Sequence, residues 1–566
     1  MKGTALLLLV SLPGVSQDVL TWHNDNARTG QNLAEKILTL ESVNPKTFGK
    51  RFVIPTDRKV DAEPLYVHHL EIVNRGFRNV LFVATEHDSL YAFDADTGEP
   101  FWHRQLLKVG EKPSDNRNCG QITPEIGITA TPVIDRQLGP HGAIYVVAMS
   151  KDSQGRYFQR LHALDLRTGA EEFDGPVDVH ATFPGDGAAI FDPKQYAERA
   201  ALLLLNGVVY TTWTSHCDIN PYNGWVIGYD GRTLKQGAVL DITPNGEEGS
   251  IWQSGAGPAA DPQGNIYVMA ANGTFDTTLN TQGFPQRSDF GNSFLKIATR
   301  NGKLAISDYF TMFDVAKENA NDGDLGSGGP MVLPDSKDGL GRMQRLVVGA
   351  GKDLNIYLLN RDAMGKFNMR RNDIYQELPH AMKHSFSRPI PAYFDGRIYY
   401  ASTDDTLRAY HLQNAHLIAQ PVSQTGLTFI YPGAAPSISA DGVRNGIVWV
   451  TENRNPAVLH AYDASDLSHE LYSSNAAASG KDHFGAGNKF ITPMIANGKV
   501  YVGTADGVGV FGRVEEQRCY WIFRKIFVSE FARCCVIADL RPWRCLLWRL
   551  ALTQLRRYSA SSIARE

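Results

Sequence analysis

The chain has 566 residues, of which 43% are hydrophobic, and a formal net charge of −4. This length exceeds the roughly 100–200 residues of one ordinary domain, so it indicates either several domains or one large repeat architecture. The nearly neutral charge argues against a nucleic-acid partner, for which a basic face would be expected. The 52 glycines suit a turn-rich, all-β protein.

The N-terminus resembles a short secretory signal peptide. Lys2 precedes an apolar run from about Thr4 to Leu12, and small residues follow up to Ser16. The run is shorter than the roughly 20 apolar residues that a membrane span needs. We therefore expect residues 1–17 to be a signal peptide and the protein to be secreted or periplasmic. The alternative is a buried first helix.

Residues 80–102 and 143–173 repeat one pattern. Each stretch has a strand-like run, a polar turn, a second strand that ends in Asp, and a Thr-Gly turn that places Gly98 and Gly169 at matching positions. Self-similarity on this scale indicates a repeat architecture.

The same pattern continues along the chain as three kinds of strand. A small residue and a proline mark the inner strand at Pro64, Pro132, Pro258, Pro330, Pro391, Pro436 and Pro493. A further inner strand, RAALLLL at 199–205, lacks the proline. The second and third strands each recur eight times, ending with KVYVGT and GVGVFG. Short runs rich in Val, Ile, Tyr and Phe between Gly, Asn and Asp are typical of strands. Eight such units predict an eight-bladed β-propeller of four-stranded antiparallel blades over residues 18–512.

The last unit supplies about three strands before Gly512. We therefore expect an N-terminal strand to close the ring, because closure removes exposed sheet edges. The segment LTWHND, residues 20–25, is the predicted closing strand.

The pattern L-x-A-[FL]-D-x-x-T-G-x-x-x-[WF] resembles the repeat of the pyrroloquinoline-quinone (PQQ) propellers, the quinoprotein alcohol dehydrogenase-like superfamily. Trp102 matches the docking tryptophan of that repeat, and Phe173 takes its place in the second blade. The opening TWHNDNARTGQN is also similar to the start of those proteins. The resemblance covers residues 20–512 and implies the fold. It does not imply the cofactor, because related blades also occur in assembly scaffolds.

The loops before the inner strands and the turns between second and third strands lie on one face of a propeller, where ligand sites are expected. The candidate ligand-face residues are Asp61, Glu63, Glu86, Glu125, His216, Lys352, Asp353, His384, Arg388 and Asp404, with His87, Asp88, Asp324 and Glu452 in the same loops. Acids, histidines and cations around one pore could bind a divalent cation or an oxygenated ligand. The alternative for each residue is a solvated turn that caps backbone amides.

Cys119 and Cys217 fall on this face in neighbouring blades, and in an exported protein they predict a disulfide over the pore mouth. Two isolated thiols are the alternative, and no C-x-x-C spacing supports zinc. Quinone-dependent alcohol dehydrogenases of this superfamily typically carry adjacent cysteines over the cofactor and a tryptophan beneath it. No adjacent pair occurs in residues 18–512, since Cys534 and Cys535 lie in the tail.

The tail, residues 513–566, lies outside the repeat. It holds ten Arg, one Lys and four of the six Cys of the chain. We favour a non-native extension past the true end of the protein over a basic amphipathic helix that touches a membrane or a partner.

From the sequence we expect an exported binding or scaffold protein that presents its loop face to a small-molecule, glycan or protein ligand. The alternative is a PQQ- and calcium-dependent dehydrogenase of alcohols or sugars. In that case Glu63, Glu125 or Asp404 would ligate calcium or abstract a proton. Lys352 or Arg388 would contact the quinone oxygens. No Ser-His-Asp order, P-loop or dinucleotide-binding fingerprint occurs in the chain.

Overall fold

The computed structural model describes residues 18–514, apart from positions 140, 187–188, 301 and 384–387. The predicted signal peptide and nearly all of the predicted tail lie outside the described residues. The described part is an eight-bladed β-propeller with one short α-helix, Val315–Ala320. The 3-10 turns are Gln253–Gly255, Leu325–Ser327, Ser474–Ala476 and Ala478–Gly480.

The first four blades follow one another in chain order, and their strands are antiparallel neighbours. Blade 1 consists of Leu65–Ile72, Gly76–Ala84, Ser89–Asp94 and Pro100–Gln105. Blade 2 consists of Val133–Asp135, Ala143–Asp152, Tyr157–Asp165 and Val177–Asp178, extended by Glu111–Asp115 and Glu125–Ile126. Blade 3 consists of Leu203–Leu205, Val208–Ser215, Trp225–Asp230 and Gln236–Asp241, with Tyr196–Glu198 added. Blade 4 consists of Ala259–Ala260, Asn265–Met269, Ser293–Arg300 and Lys303–Thr311.

The remaining blades complete the ring. Blade 5 consists of Met331–Val332, Leu346–Ala350, Ile356–Asn360 and Gln376–Leu378. Blade 6 consists of Ala392–Phe394, Arg397–Ala401, Asp405–Gln413 and Ser423–Phe429, with His416–Leu417 added. Blade 7 consists of Ser437–Asp441, Arg444–Glu452, Val458–Asp463 and Asp466–Ser473, with Gln31–Asn32 in parallel. Blade 8 consists of Phe48–Pro55, Met494–Ala496, Lys499–Gly503 and Gly507–Arg513. Two small hairpins lie between blades: Thr182–Phe183 with Ala189–Ile190, and Ser336–Lys337 with Met343–Gln344.

The predicted inner strands are confirmed. Each of the seven prolines named above directly precedes the first residue of an inner strand, as Pro64 precedes Leu65 and Pro493 precedes Met494. Proline has no N–H to donate to a ladder, so it marks the boundary of a strand rather than its middle. In the blade without the proline, the strand Leu203–Leu205 begins later than the predicted run 199–205.

Blade 1 docks on blade 2 through Trp102. Its indole Nε1 donates to the Leu166 carbonyl at 3.1 Å, and its ring lies against Gly169. A Cβ on Gly169 would lie 2.7 Å from the indole, and this residue has a φ of 65°. Glycine is therefore required at this turn both by the space and by the backbone conformation.

An N-terminal strand closes the ring, but the predicted segment is wrong. The closing strand is Phe48–Pro55, which pairs along its length with Gly507–Arg513. It buries Phe48 and Ile54 on one side and exposes Val53, a period-2 pattern that suits an outer strand. Residues 20–25 cannot extend as a strand, because His23 and Asn24 have φ values of 60° and 68°.

Residues 19–32, which we call the hub segment, instead fill the centre of the ring and contact all eight blades. Trp22 packs there against Ala201, Ala256, Ile390 and Ala435. From blade 1 to blade 8, the hydrogen bonds join Val19 to Tyr66, Leu20 to Ile134, Asn26 to Leu204 and Ala260, Ala27 to Val332, Thr29 to Tyr393, Gly30 to Ile438, and Asn32 to Ile495. The hub segment thus satisfies backbone groups on the inner edges of the sheets, which would otherwise lack partners.

Blade 7 contains a buried Glu–His–Glu triad. His460 Nδ1 lies 2.7 Å from Glu470, and its Nε2 lies 3.0 Å from Glu452. Burial lowers the pKa of His460, but the bonds and charges of the two glutamates outweigh burial and the net shift is upward. Burial likewise raises the pKa of each glutamate, but the hydrogen bond from His460, its charge and one further donor, Arg454 for Glu452 and Tyr462 for Glu470, together outweigh burial, and both pKa values fall.

This triad predicts a stability change with pH. A histidine with a raised pKa stabilises fully below about pH 6.5 and loses that contribution as pH rises through its folded-state value. The two glutamates contribute above about pH 4.5 and lose their contribution on acidification. We expect His460→Gln to flatten the fall in unfolding free energy between pH 6 and 9, measured by urea denaturation. The exposed neighbour His469, changed to Gln, is the control and should leave that fall intact. An unaltered fall in His460→Gln would contradict the assignment.

Candidate functional site

A cavity of about 490 Å³ lies on the predicted ligand face, beside the propeller axis. Its walls come from both kinds of loop that the sequence singled out. The loops before inner strands supply Trp252, Asp324 and Arg388, and the turns between second and third strands supply His216 and Lys352. A volume in this range suits a small organic ligand or cofactor.

Cys119 and Cys217 form a disulfide in the wall of the cavity, with their Cα atoms 5.5 Å apart. Cys119 lies in the loop between Glu111–Asp115 and Glu125–Ile126, and Cys217 follows Val208–Ser215. The two residues are 98 positions apart in the chain. The disulfide therefore joins loops from blades 2 and 3 across one side of the cavity.

Trp252, Asp324 and Lys352 form a connected group in the cavity lining. The indole Nε1 donates to Asp324 Oδ2 at 3.0 Å, and Lys352 Nζ lies 3.5 Å from the same oxygen. Lys352 Nζ also pairs with Asp322 at 2.7 Å and lies 6.0 Å from the centre of the indole ring. An aromatic face, a carboxyl group and a cation are thus presented together to one cavity.

Asp324 has the environment of a tuned acid or base. It is 4% exposed, and its Oδ1 has no hydrogen-bond partner among the described residues. Burial raises the pKa of Asp324 above its ordinary value, while the charge of Lys352 opposes that rise. A buried carboxyl group with an unpaired oxygen and a raised pKa is a candidate for proton transfer.

Three of the ten candidate residues line the cavity: His216, Lys352 and Arg388. His216 Nε2 lies 3.1 Å from the Tyr196 carbonyl, and burial lowers the pKa of the imidazole to about 4. His216 is therefore neutral at physiological pH and anchors its loop. Arg388 stacks over the rings of Trp252 and Tyr431, with its Cζ 5.4 and 4.8 Å from their centres.

Three other candidates are buried beside the cavity rather than in its wall. Asp61 accepts from Asn488 Nδ2 at 2.6 Å, and Glu86 accepts from Gly127 N and Thr129 Oγ1, each at 2.9 Å. Burial and the neighbouring Asp61 raise the pKa of Glu86 well above its ordinary value. Glu63 belongs to the hub, where the His23 amide donates to it at 3.4 Å. Burial likewise raises the pKa of Glu63.

The remaining candidates are not cavity residues. Glu125 pairs with His87 at 2.8 Å and with Arg58 at 3.1 Å outside the cavity. Asp353 is bonded by the Tyr357 hydroxyl, and burial raises its pKa to about 7. Asp404 is exposed. His384 lies outside the described residues.

Sequence reasoning missed Trp252, Arg199 and Phe490, all of which line the cavity. Trp252 precedes the inner-strand proline Pro258 in the run IWQSGAGP, and Arg199 begins the run without a proline. Trp252 could have been predicted as a cavity residue, because it is an aromatic residue in a loop before an inner strand. Arg199 had no signal, because an arginine in a loop is ordinarily solvated.

Solved structures show which proteins share this fold. The quinohemoprotein alcohol dehydrogenase from Comamonas testosteroni superposes with a TM-score of 0.57 at 14% identity, covering 88% of this chain and 80% of that one. The fold is that of the quinohemoprotein alcohol dehydrogenases. A second such enzyme, from Pseudomonas putida HK5, gives a TM-score of 0.56 at 14% identity, with coverage of 88% and 80%. A europium-containing methanol dehydrogenase gives 0.53 at 11% identity, covering 88% of this chain and 98% of that one.

These identities establish a shared fold and leave the chemistry to the residues of the cavity. No protein-family model matches the chain, and no curated protein matches it. Among the described residues, no helix is long and apolar enough to cross a bilayer.

Proposed function

We propose that this protein is a quinone-dependent oxidoreductase that oxidises a hydroxyl group of an alcohol or sugar in the cavity described above. The observation that carries the proposal is the group formed by Trp252, Asp324 and Lys352 within one cavity. The scaffold role expected from the sequence has no comparable support among the described residues. The proposal therefore adopts the dehydrogenase alternative.

The lining chemistry fits a PQQ-type cofactor. A planar, polycarboxylated quinone needs an aromatic platform, cations and enough room, and the cavity offers Trp252, Lys352 and Arg388 within about 490 Å³. The disulfide Cys119–Cys217 supplies a further apolar wall, although its cysteines are not adjacent in the chain. When bound, the quinone would supply the two-electron acceptor for the oxidation.

The residues of this chain would handle the proton. The Asp324 carboxyl group would accept the proton of the substrate hydroxyl, while Trp252 Nε1 donates to its Oδ2 and orients it. Lys352 would stabilise the ionised form of Asp324 against burial.

Calcium does not enter this mechanism. Glu63, Glu125 and Asp404, the calcium ligands suggested by the sequence, lie outside the cavity. Asp218, Asp322 and Asp324 do line it, but no three acidic, histidine or cysteine side chains converge on one point among the described residues. We derive no step through a metal ion.

We also propose that the protein is exported. Its signal-like residues 1–17 and a cavity-lining disulfide both suit an oxidising compartment.

Quinone binding tests the proposal directly. Titration of PQQ into the full-length protein, followed by calorimetry, should show one site per chain, and Trp252→Ala should weaken the affinity about tenfold or more. The reason is that stacking on an aromatic side chain contributes roughly 1–3 kcal/mol, and 1.4 kcal/mol is tenfold in Kd. Phe77→Ala, which removes an exposed ring from the tip of a blade 1 hairpin, is the control. Absence of both quinone binding and dye reduction with alcohols or sugars would refute the proposal.

A further inference from the structure

Arg199 and Arg388 flank Phe490 in the cavity wall, and Lys489 directly precedes Phe490 in the chain; we call these three residues the cationic rim. The Cζ atoms of Arg199 and Arg388 lie 4.9 and 5.9 Å from the centre of the Phe490 ring. Lys489 directly precedes Phe490, and its Nζ lies 5.5 Å from the centre of the Tyr431 ring. The rim thus combines positive charge with aromatic faces.

Arg199 is the most deeply buried cation of the rim. Arg199 is only 6% exposed, and it lines the cavity. Within the described part of the chain, no acceptor or acid is bonded to this guanidinium, which lies over the face of Phe490. A buried charged group without an acceptor is costly, so a guanidinium directed into a cavity favours an anion from outside the protein.

Lys489 points to the same conclusion. Burial lowers its pKa, and the positive charges of Arg388, Lys59 and Arg199 lower it further, while the more weakly acting Asp61 opposes them. The Lys489 Nζ donates to the neutral Gln121 Oε1 at 3.1 Å. Like charges therefore face one another here, and an incoming carboxylate would relieve their repulsion.

Lys352, elsewhere in the cavity lining, has acidic neighbours. Its Nζ is paired with Asp322 at 2.7 Å and with Asp324 at 3.5 Å. Trp252, which donates to Asp324, lies beside Phe490, with ring centres 6.1 Å apart and planes at 75°. The cavity lining thus holds one cation that is paired with carboxylates, Lys352, and one that is paired with none among the described residues, Arg199.

We infer that the cationic rim binds the carboxylate of an anionic substrate, a hydroxy acid with the chain length of a sugar acid, whose distal hydroxyl reaches Asp324. The inference rests on the proposed function for the role of Asp324, but the anion site itself does not depend on it. A carboxylate held by Arg199 is favoured because the planar guanidinium can donate two parallel hydrogen bonds.

The carboxylates of the quinone are another source of the same chemistry, and the experiment separates the two. The probes are D-gluconate and D-glucitol, which share a six-carbon polyol chain and differ in one terminal carboxylate. Binding of each to the full-length protein is measured by calorimetry at low ionic strength, first without quinone and then with PQQ at saturation. We expect gluconate to bind at least tenfold more tightly than glucitol, equivalent to about 1.4 kcal/mol, in both conditions.

Variants assign that preference to the rim. Arg199→Met and, independently, Lys489→Met should each reduce the gluconate preference at least threefold while PQQ affinity changes less than threefold. Arg444→Met, on an exposed hairpin of blade 7 where Arg444 pairs with Asp441, is the control and should retain the preference. Melting temperatures identify any variant that fails to fold, and the second rim variant then decides.

Two kinds of contrary result overturn the inference, and a third rejects the proposed function alone. Equal affinity for gluconate and glucitol, or a preference unchanged in both rim variants, excludes an anion site. Displacement of gluconate by PQQ, or loss of PQQ affinity in the rim variants, assigns the rim to the cofactor instead. Failure of the protein to bind PQQ at all, with gluconate selectivity intact, rejects the proposed oxidoreductase and leaves the anion site standing.

Discussion

Replacement of Asp324 by Asn should lower kcat for the preferred alcohol or sugar between a hundredfold and ten-thousandfold. This range is what removal of a positioned general base typically costs. Asn keeps an oxygen that can accept from Trp252 Nε1, now 3.0 Å from Asp324 Oδ2, so the position of the indole should persist. The variant loses the group that takes the substrate proton. Steady-state dye reduction measures the effect.

Asp404→Asn is the matched control for this prediction. Asp404 is exposed and lies outside the cavity on the same face. The kcat of Asp404→Asn should therefore stay within twofold of that of the unaltered protein. PQQ affinity should stay within threefold in both variants, which separates lost chemistry from lost cofactor. Equal activity of Asp324→Asn and the unaltered protein would remove Asp324 from the mechanism.

The pH profile gives a second readout of the same group. Burial raises the pKa of Asp324, and a base must be ionised to accept a proton. The rate should therefore fall as pH decreases through that raised pKa. The charge of Lys352 opposes the rise in the pKa of Asp324. The variant Lys352→Met should therefore move the acidic limb of the rate profile to higher pH.

Replacement of Arg28 by Met should destabilise the protein by about 3–5 kcal/mol, the range seen when one member of a buried charged network is removed. Arg28 is 1% exposed and lies at the centre of the hub. It donates to the carbonyls of Pro258, Trp22 and Leu202 at 2.9, 2.8 and 3.1 Å, and to Thr21 Oγ1 at 2.7 Å. Met fills a similar volume but leaves the three carbonyls without this donor. Urea denaturation followed by circular dichroism measures the change.

Arg51→Met provides the comparison. Arg51 lies exposed on the closing strand and makes one bond, from Nη1 to the Arg513 carbonyl at 2.8 Å. A surface replacement of this kind is expected to change the unfolding free energy by about 0.5 kcal/mol or less. Similar losses in the two variants would show that the hub contributes no special stability. A large loss confined to Arg28→Met would establish that the hub segment holds the ring together from its centre.

The sequence alone predicted the blades well, because a blade is specified by local patterns. Alternating apolar residues define strands, and a proline without an N–H group must stand at a boundary, so Pro64 and its six counterparts mark the inner strands. The face carrying the ligand loops followed from the same strand order. Lys352 and Arg388, named from that order, do line the cavity.

The N-terminal segment was misplaced because its partners are distant in sequence. Trp22 donates to Thr492, 470 positions away, and no local pattern encodes such a contact. Residues 20–25 have a strand-like pattern, but the inner edges of eight sheets offer backbone groups that need hydrogen-bond partners. A turn-rich segment can reach all of these edges around the centre of the ring, whereas an extended strand cannot.

The sequence by itself thus determined a closed ring of eight blades and the face that carries the candidate site. Only the tertiary structure decided which side chains meet there: Trp252 beside Asp324, Arg199 beside Phe490, and Asp61, Glu63 and Glu86 withdrawn into the interior. The physical reason is that strand periodicity is set by near neighbours, whereas a propeller's cavity is assembled from one or two residues of each blade. Their burial, charge and hydrogen bonding arise only when the ring closes.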